Sequence, residues 1–124
     1  MALTSAGAQL IAQMIHGESV TTYANASCYI GVGSGTTAFN SAQTALVTPL
    51  TGGRKLVTSG SRSGSILTKA TSYGTTEAEG SWEEWGWFNA SSGGTMLGRK
   101  VESLGTKPAG TQTWQFETTV TFSA

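Results

Sequence analysis

The clearest pattern along the chain is a strict alternation of apolar and polar residues near the C-terminus. One side of this segment carries Trp114, Phe116, Thr118, Val120 and Phe122, and the intervening positions are all polar. Period-two alternation with large apolar side chains is typical of an antiparallel strand that is buried on one face. The segment therefore predicts a strand that rests one face on a core and exposes the other to solvent.

Residues 1–17 follow a helical period instead. Their large apolar side chains fall on one helical stripe: Leu3, Leu10, Ile11, Met14 and Ile15. Thr4 or Ser5 is a suitable N-cap, and Gly17 is a suitable stop. Because a helix of this length is marginal alone, we expect it to dock its stripe on the rest of the protein or on a neighbour.

The middle of the chain predicts short strands separated by glycine-rich turns. These strands are expected at residues 27–33, 54–59, 65–73, 81–89 and 96–102. Residues 54–59 and 65–73 flank a turn at 60–64 and are expected to form a hairpin. Asn40 to Gln43 has the spacing of a capping box, which predicts one or two helical turns before Pro49.

Strands joined by short turns, with helix confined to the N-terminal third, predict a mainly β fold. We expect an antiparallel β-sandwich or a partly closed barrel with one short N-terminal helix packed on it. The sequence shows no internal repeat and no linker. A single domain over residues 1–124 is therefore expected, with an N-terminal arm and helix at 1–17 and a β core at 27–124.

Charge is scarce and balanced: seven basic and seven acidic residues give a formal net charge of zero. The chain as a whole therefore offers no attraction to nucleic acid or to an anionic membrane, and neither partner is expected. The N-terminus lacks a basic region, and its longest apolar run is too short to cross a bilayer. We expect the chain to fold in a cytoplasm.

The inventory of reactive side chains is small. Aspartate is absent, His16 is the only histidine, and Cys28 is the only cysteine. An intrachain disulfide, a Ser-His-Asp triad and a multi-histidine metal site are all excluded on that count. Cys28 lies in an apolar run and is interpreted as a buried thiol. We therefore predict neither a cofactor nor a metal.

The glutamates near the tryptophans raise the possibility of glycoside hydrolysis by paired carboxylic acids. Glu83 and Glu84, however, are adjacent on a predicted strand and should point to opposite faces. Glu77 and Glu79 fall in a predicted turn, where carboxylates are usually solvated. The sequence therefore predicts a protein that is not an enzyme.

The run Gly31-Val32-Gly33-Ser34-Gly35 is superficially similar to a phosphate-binding loop. Its third glycine is misplaced, no Lys-Ser/Thr pair follows it, and no helix starts directly after it. We interpret the run as the end of a strand and the turn that follows.

Glu84 is predicted to share a strand face with Trp82 and Phe88, where a half-buried carboxylate needs a partner. We hypothesise that Glu84 pairs with Arg99 across a hairpin. Such a pair is expected to fix the strand register more than it adds stability.

Trp85 and Trp87 are two residues apart and should share the face opposite to Trp82. Either all three tryptophans belong to the core, or one face of this strand is covered by another chain or by a sugar. The predicted interaction residues are Trp82, Trp85, Trp87, Glu84, Arg99 and Leu3, the last within an arm formed by residues 1–4.

Several stretches resemble small structural proteins of tailed bacteriophages. They run from Glu84 to Ala90, from Gly93 to Lys100, from Tyr29 to Gly35, from Thr44 to Leu46 and from Thr113 to Phe116. Chains of this kind are similar to domains of tail-collar fibres and of small head-associated proteins. The resemblance implies a virion component that assembles in the host cytoplasm and acts without catalysis.

The chain has neither the heptads nor the repeats that a fibre needs, which favours a capsid decoration protein. The resemblance implies a homo-oligomer, preferably a trimer, that also contacts other virion proteins such as the major capsid protein. A tail-fibre, collar or baseplate component is the alternative within this class. A carbohydrate-binding module that uses exposed tryptophans is the alternative from another class.

Overall fold

The computed structural model describes residues 1–124 and contains one helix and eight strands. The helix α1 spans Ser5–His16. The strands are β1 (Ala2–Leu3), β2 (Tyr29–Gly33), β3 (Pro49–Leu56), β4 (Ser59–Ser63), β5 (Ile66–Tyr73), β6 (Gly80–Phe88), β7 (Met96–Lys107) and β8 (Trp114–Thr121). A five-stranded sheet has the order β1-β7-β6-β2-β3, and a three-stranded sheet has the order β4-β5-β8. All pairs are antiparallel, and the sheets do not close into a barrel, so the predicted mainly β sandwich is confirmed.

Helix α1 begins and ends where its capping residues predict. Thr4 is the N-cap, and its hydroxyl accepts a 2.9 Å hydrogen bond from the Gly7 N–H. Gly17 follows the last turn in the left-handed region, with φ +84°, a conformation that costs glycine little. The helix therefore ends abruptly at residue 16.

The apolar stripe of α1 is shorter than predicted at both ends. Leu3 lies outside the helix, in β1, where it pairs with Gly98 of β7. Ile15 is 83% exposed. Contact with the rest of the protein runs from Gly7, whose backbone lies directly against that of Leu97, through the buried Leu10 to Ile11, which packs against the main core. The last turn extends beyond the buried part of the stripe.

The hairpin predicted from residues 54–59 and 65–73 is wrong. β3 pairs with β2, whereas β4 pairs with β5 through the turn that contains Gly64. The chain changes sheets between Val57, whose N–H donates to the Cys28 carbonyl, and Thr58, whose N–H donates to the Ala70 carbonyl. Residues 54–59 therefore contribute to both sheets, a division that no local pattern specifies.

The capping box at residues 40–43 forms its hydrogen bonds without a helix. Asn40 accepts a hydrogen bond from the N–H two residues ahead, and Gln43 Oε1 accepts one from the Asn40 N–H at 3.2 Å. The N–H groups of Val47 and Thr48 then donate to the Glu84 carboxylate. The predicted helical turns are absent because these donors satisfy a buried charge rather than helical carbonyls.

The alternation predicted for the last strand is confirmed in β8. Thr118 and Val120 are buried, Trp114 and Phe116 are partly buried, and the intervening residues are exposed. Phe122 lies just beyond the strand and is 41% exposed. The main core cluster between the sheets contains Cys28, Ile30, Val32, Val57, Tyr73, Ala78, Trp82, Trp85, Trp87, Leu97 and Val120.

Cys28 is fully buried, as predicted, and burial raises the pKa of its thiol from 9.0 to about 11. We expect native protein at pH 8 to react with iodoacetamide far more slowly than protein unfolded in urea. Burial excludes the reagent, and the higher pKa lowers the thiolate fraction by about a hundredfold. Mass spectrometry after timed quenching measures both rates. Equal rates in the two states would contradict this placement.

Candidate functional site

All three strand tryptophans point into the space between the two sheets. The Trp82 ring lies 5.0 Å from that of Trp114, and the Trp85 ring lies 5.8 Å from that of Phe116, between ring centroids. Trp87 donates its indole N–H to a hydroxyl of β8 at 2.9 Å. The three side chains are 4% exposed or less. The expectation that Trp82 occupies the face opposite to Trp85 and Trp87 is therefore wrong.

An irregularity in β6–β7 pairing accounts for this arrangement. Glu84 is opposite Val101, but Trp82 is opposite Gly105, so three residues of β7 face the single residue Glu83. The alternation of β6 breaks at this point. Trp82 consequently faces the core, while Glu84 lies on the outer side of the five-stranded sheet with Phe88.

The predicted pair between Glu84 and Arg99 is confirmed. Arg99 Nε donates to Glu84 Oε1 at 2.7 Å, and both side chains are completely buried. The two residues lie on neighbouring strands, β6 and β7, beneath the loop that connects β2 to β3. Arg99 also reaches that loop directly, because its Nη1 donates to Gln43 Oε1 at 3.2 Å. Arg99 Nη2 is buried without a hydrogen-bond partner.

Glu84 also accepts three backbone hydrogen bonds that the sequence did not indicate. Their donors are the N–H groups of Gly35, Val47 and Thr48, at 2.9, 2.9 and 2.7 Å. These donors lie near the two ends of the loop at residues 34–48. A single buried carboxylate therefore closes the loop at its neck and attaches it to the outer side of the five-stranded sheet.

The glycine-rich run after β2 makes room for this carboxylate. A Cβ on Gly33 or on Gly35 would lie 2.5 Å from Glu84 Oε2. The run is thus a strand end and turn, as predicted, and its glycines leave room for an anion. The anion is a side chain of the protein itself.

Electrostatics favour the ionised form of Glu84. Burial raises the pKa of the carboxyl group, but the hydrogen bonds from Thr48, Arg99, Val47 and Gly35 together lower the pKa to below its ordinary value of 4.5. Four donors already occupy the carboxylate. It therefore acts as a structural anchor and has no free position for a substrate.

We expect Glu84→Gln to lower the free energy of unfolding by about 3–5 kcal/mol, because Arg99 is left as a buried and uncompensated charge. Urea denaturation followed by tryptophan fluorescence measures the loss. Glu83→Gln is the matched control and should change stability little, since Glu83 makes only a 3.4 Å contact with the Ser103 hydroxyl at the surface. Equal effects of the two substitutions would contradict the anchoring role.

Acidification should remove the contribution of Glu84. Its folded-state pKa is depressed, so the unfolded chain takes up the proton first as the pH falls. The stabilisation is complete above the ordinary pKa of 4.5 and is lost as the pH drops through the folded-state value. Urea midpoints measured from pH 7 to pH 3 should show the gap between wild type and Glu84→Gln narrowing at the acidic end. A gap that widens on acidification would contradict the sign.

The groove at the α1 end of the sandwich is the main uncovered apolar feature. It has a volume of about 360 Å³, and eight of its nine lining residues are hydrophobic. The lining includes Ile11 and Met14 of α1, Leu67 of β5, Trp87 of β6 and the exposed Phe122. No charged residue lines it, and Thr22 is its one residue that is not hydrophobic.

Of the six predicted interaction residues, only Leu3 is exposed, at 38%. It lies in β1, which pairs with Gly98 and Arg99 of β7 and leaves the rest of that edge without a neighbouring strand. The other five residues are buried within the chain. Sequence reasoning missed the groove because its walls come from segments far apart in the chain.

No group of three or more His, Cys, Asp or Glu side chains converges in a way that could hold a metal ion. No helix is long and apolar enough to span a membrane. Comparison with protein families, characterised proteins and solved structures finds no match to this chain.

Proposed function

We propose that this chain is a non-enzymatic structural protein of a tailed-bacteriophage virion, and that it decorates the capsid by packing on the head lattice. The observation that carries the proposal is the open apolar groove beside α1, together with the exposed Ile15 and Phe122. Apolar surface of this kind is typical of a contact with another protein. The proposed partners are further copies of the chain and the major capsid protein.

The contacts of the other glutamates support a role without catalysis. Glu77 pairs with Lys55 at 2.7 Å, and Glu79 accepts a hydrogen bond from the Gly110 N–H. Glu83 contacts a surface hydroxyl, and Glu84 is occupied by four donors. None of these carboxylates lines the groove, as a pair of catalytic acids would.

Low charge and multiple copies suit a lattice protein. A net charge of zero leaves little repulsion between neighbouring copies. A weak contact for each copy becomes effective when every copy has several neighbours. A tail-fibre, collar or baseplate position would use the same surfaces, and the trimer implied by the resemblance is compatible with either location.

The carbohydrate-binding alternative depended on exposed tryptophans. Trp82, Trp85 and Trp87 contribute to the core instead, so they offer no stacking surface to a sugar ring. No observation favours this alternative over assembly. Saturable quenching of tryptophan fluorescence by oligosaccharides would favour it.

We expect the purified protein to sediment as an oligomer at high concentration and to co-sediment with capsids that lack it. Ile15→Ser combined with Phe122→Ser should weaken capsid binding at least threefold, because the first removes exposed apolar surface from α1 and the second removes it from the wall of the groove. Val47→Ser removes an exposed apolar side chain elsewhere and serves as the control. A strict monomer that binds no capsid would contradict the proposal, and binding to purified tails alone would favour the tail location.

A further inference from the structure

The outer edge of β8 is a long and regular strand edge without a partner. β8 pairs with β5 over eight residues and has no strand on its other side. Its only charged residue is Glu117, and it contains neither proline nor glycine. A long, flat edge with little charge is a template for pairing with another strand.

The other free edges carry features that discourage pairing. β3 begins at Pro49 and contains Gly52 with φ +67°. β4 has only five residues, including Arg62. The free part of β7 carries several charges and Gly105 with φ +100°. Short, charged or irregular edges protect a sheet from further pairing. The edge of β8 lacks these features and is therefore the one most open to pairing with another strand.

The backbone direction of β8 follows from one hydrogen bond at its end. The Phe122 N–H donates to the Ser65 carbonyl next to the Ile66–Thr121 pair, so the N–H groups of even-numbered residues point toward β5. Backbone groups alternate in direction along an antiparallel strand. The N–H and C=O groups of residues 115, 117, 119 and 121 therefore point outward, and all four residues are exposed.

We propose that β8 pairs antiparallel with β8 of a second copy around a two-fold axis near Thr118. In an antiparallel sheet the side chains of directly opposite residues point to the same face. The two-fold axis must therefore lie level with one residue of β8, not midway between two consecutive residues. An axis at Glu117 would place two like charges directly opposite each other, which is unfavourable. An axis at Thr118 places Glu117 opposite Thr119 of the second copy.

This register also covers apolar surface. Trp114, which is partly exposed, lies opposite Phe122 of the second copy, and Phe122 is 41% exposed in the single chain. Opposite residues at such non-hydrogen-bonded positions bring their side chains close together. The outward backbone groups form about eight inter-chain hydrogen bonds, two at each of four residue pairs. The product is a continuous sheet that joins β4-β5-β8 of both copies.

The inference depends on the self-association in the proposed function, but not on the location in a virion. A two-fold contact at β8 produces dimers and favours an even-numbered assembly over the trimer that the resemblance implies. The groove beside Phe122 then lies next to the same interface.

Charge substitutions at Thr119 test the register. Thr119→Glu places a carboxylate opposite Glu117 of the second copy at two symmetric positions, so the dissociation constant should rise about tenfold. Thr119→Lys has a similar size and exposure and should leave the constant unchanged or lower it. The double variant Glu117→Lys/Thr119→Glu should restore wild-type affinity. Sedimentation equilibrium measures all three, and urea denaturation checks that each variant is folded.

Disulfide trapping supplies a second readout. Oxidation of Gln115→Cys/Thr121→Cys should give a covalent dimer, because opposite Cα atoms lie about 5.5 Å apart. The two positions within one chain are about 20 Å apart, so they cannot bridge internally. Gln115→Cys/Thr119→Cys is the control and should remain largely monomeric on denaturing gels, since those positions are diagonal. The buried Cys28 is shielded in both variants.

The outcomes separate this inference from the wider proposal. If the protein is an oligomer whose dissociation constant changes in none of the three charge variants, and if no 115–121 cross-link forms, the β8 interface is overturned. Self-association itself would remain supported. A strict monomer at every concentration would overturn both. A trimer by mass would overturn the two-fold arrangement, whereas a dimer with the charge pattern described above would support it.

Discussion

The Glu84 carboxylate lies fully buried with four donors around it, and much of the structure is arranged to satisfy that charge. An unpaired buried carboxylate is very costly, so its surroundings must supply hydrogen bonds. Arg99 supplies one from β7, and the backbone at Gly35 and Val47–Thr48 supplies the others. This requirement holds the loop at residues 34–48 on the sheet and excludes larger side chains at Gly33 and Gly35.

The loop that Glu84 anchors covers one side of the five-stranded sheet and leaves other surfaces of the molecule uncovered. The loop at residues 34–48 covers the outer side of β6 and β7, where Phe88 packs against Leu46 and Met96. On the inner side the three tryptophans fill the space beneath β8. The uncovered features are therefore the groove beside α1 and the edge of β8. Because the buried polar groups around Glu84 bond to one another within the chain, the groove and the edge of β8 are the surfaces available for contact with other chains.

Local rules were sufficient wherever a few neighbouring residues determine the outcome. Thr4 and Gly17 define the ends of α1 through hydrogen bonds that close within one turn. The alternation in β8 requires only that one face be buried. The Glu84–Arg99 pair was predictable because a glutamate in an aromatic strand needs a cation and few cations are present. The capping box at Asn40 shows the limit, because its hydrogen bonds form but the distant carboxylate prevents a helix.

The sequence by itself determined a mainly β chain with one N-terminal helix, a buried thiol and a half-buried last strand, since these follow from periodicity and composition. Only the tertiary structure decided that residues 54–59 divide between two sheets and that Trp82 joins Trp85 and Trp87. Both outcomes depend on strand register, which is set by contacts between residues far apart in the chain. Three residues of β7 lie opposite Glu83, and this irregularity places Glu84 on the outer side of the sheet and the tryptophans on the inner side. The spacing of residues within β6 alone does not indicate it.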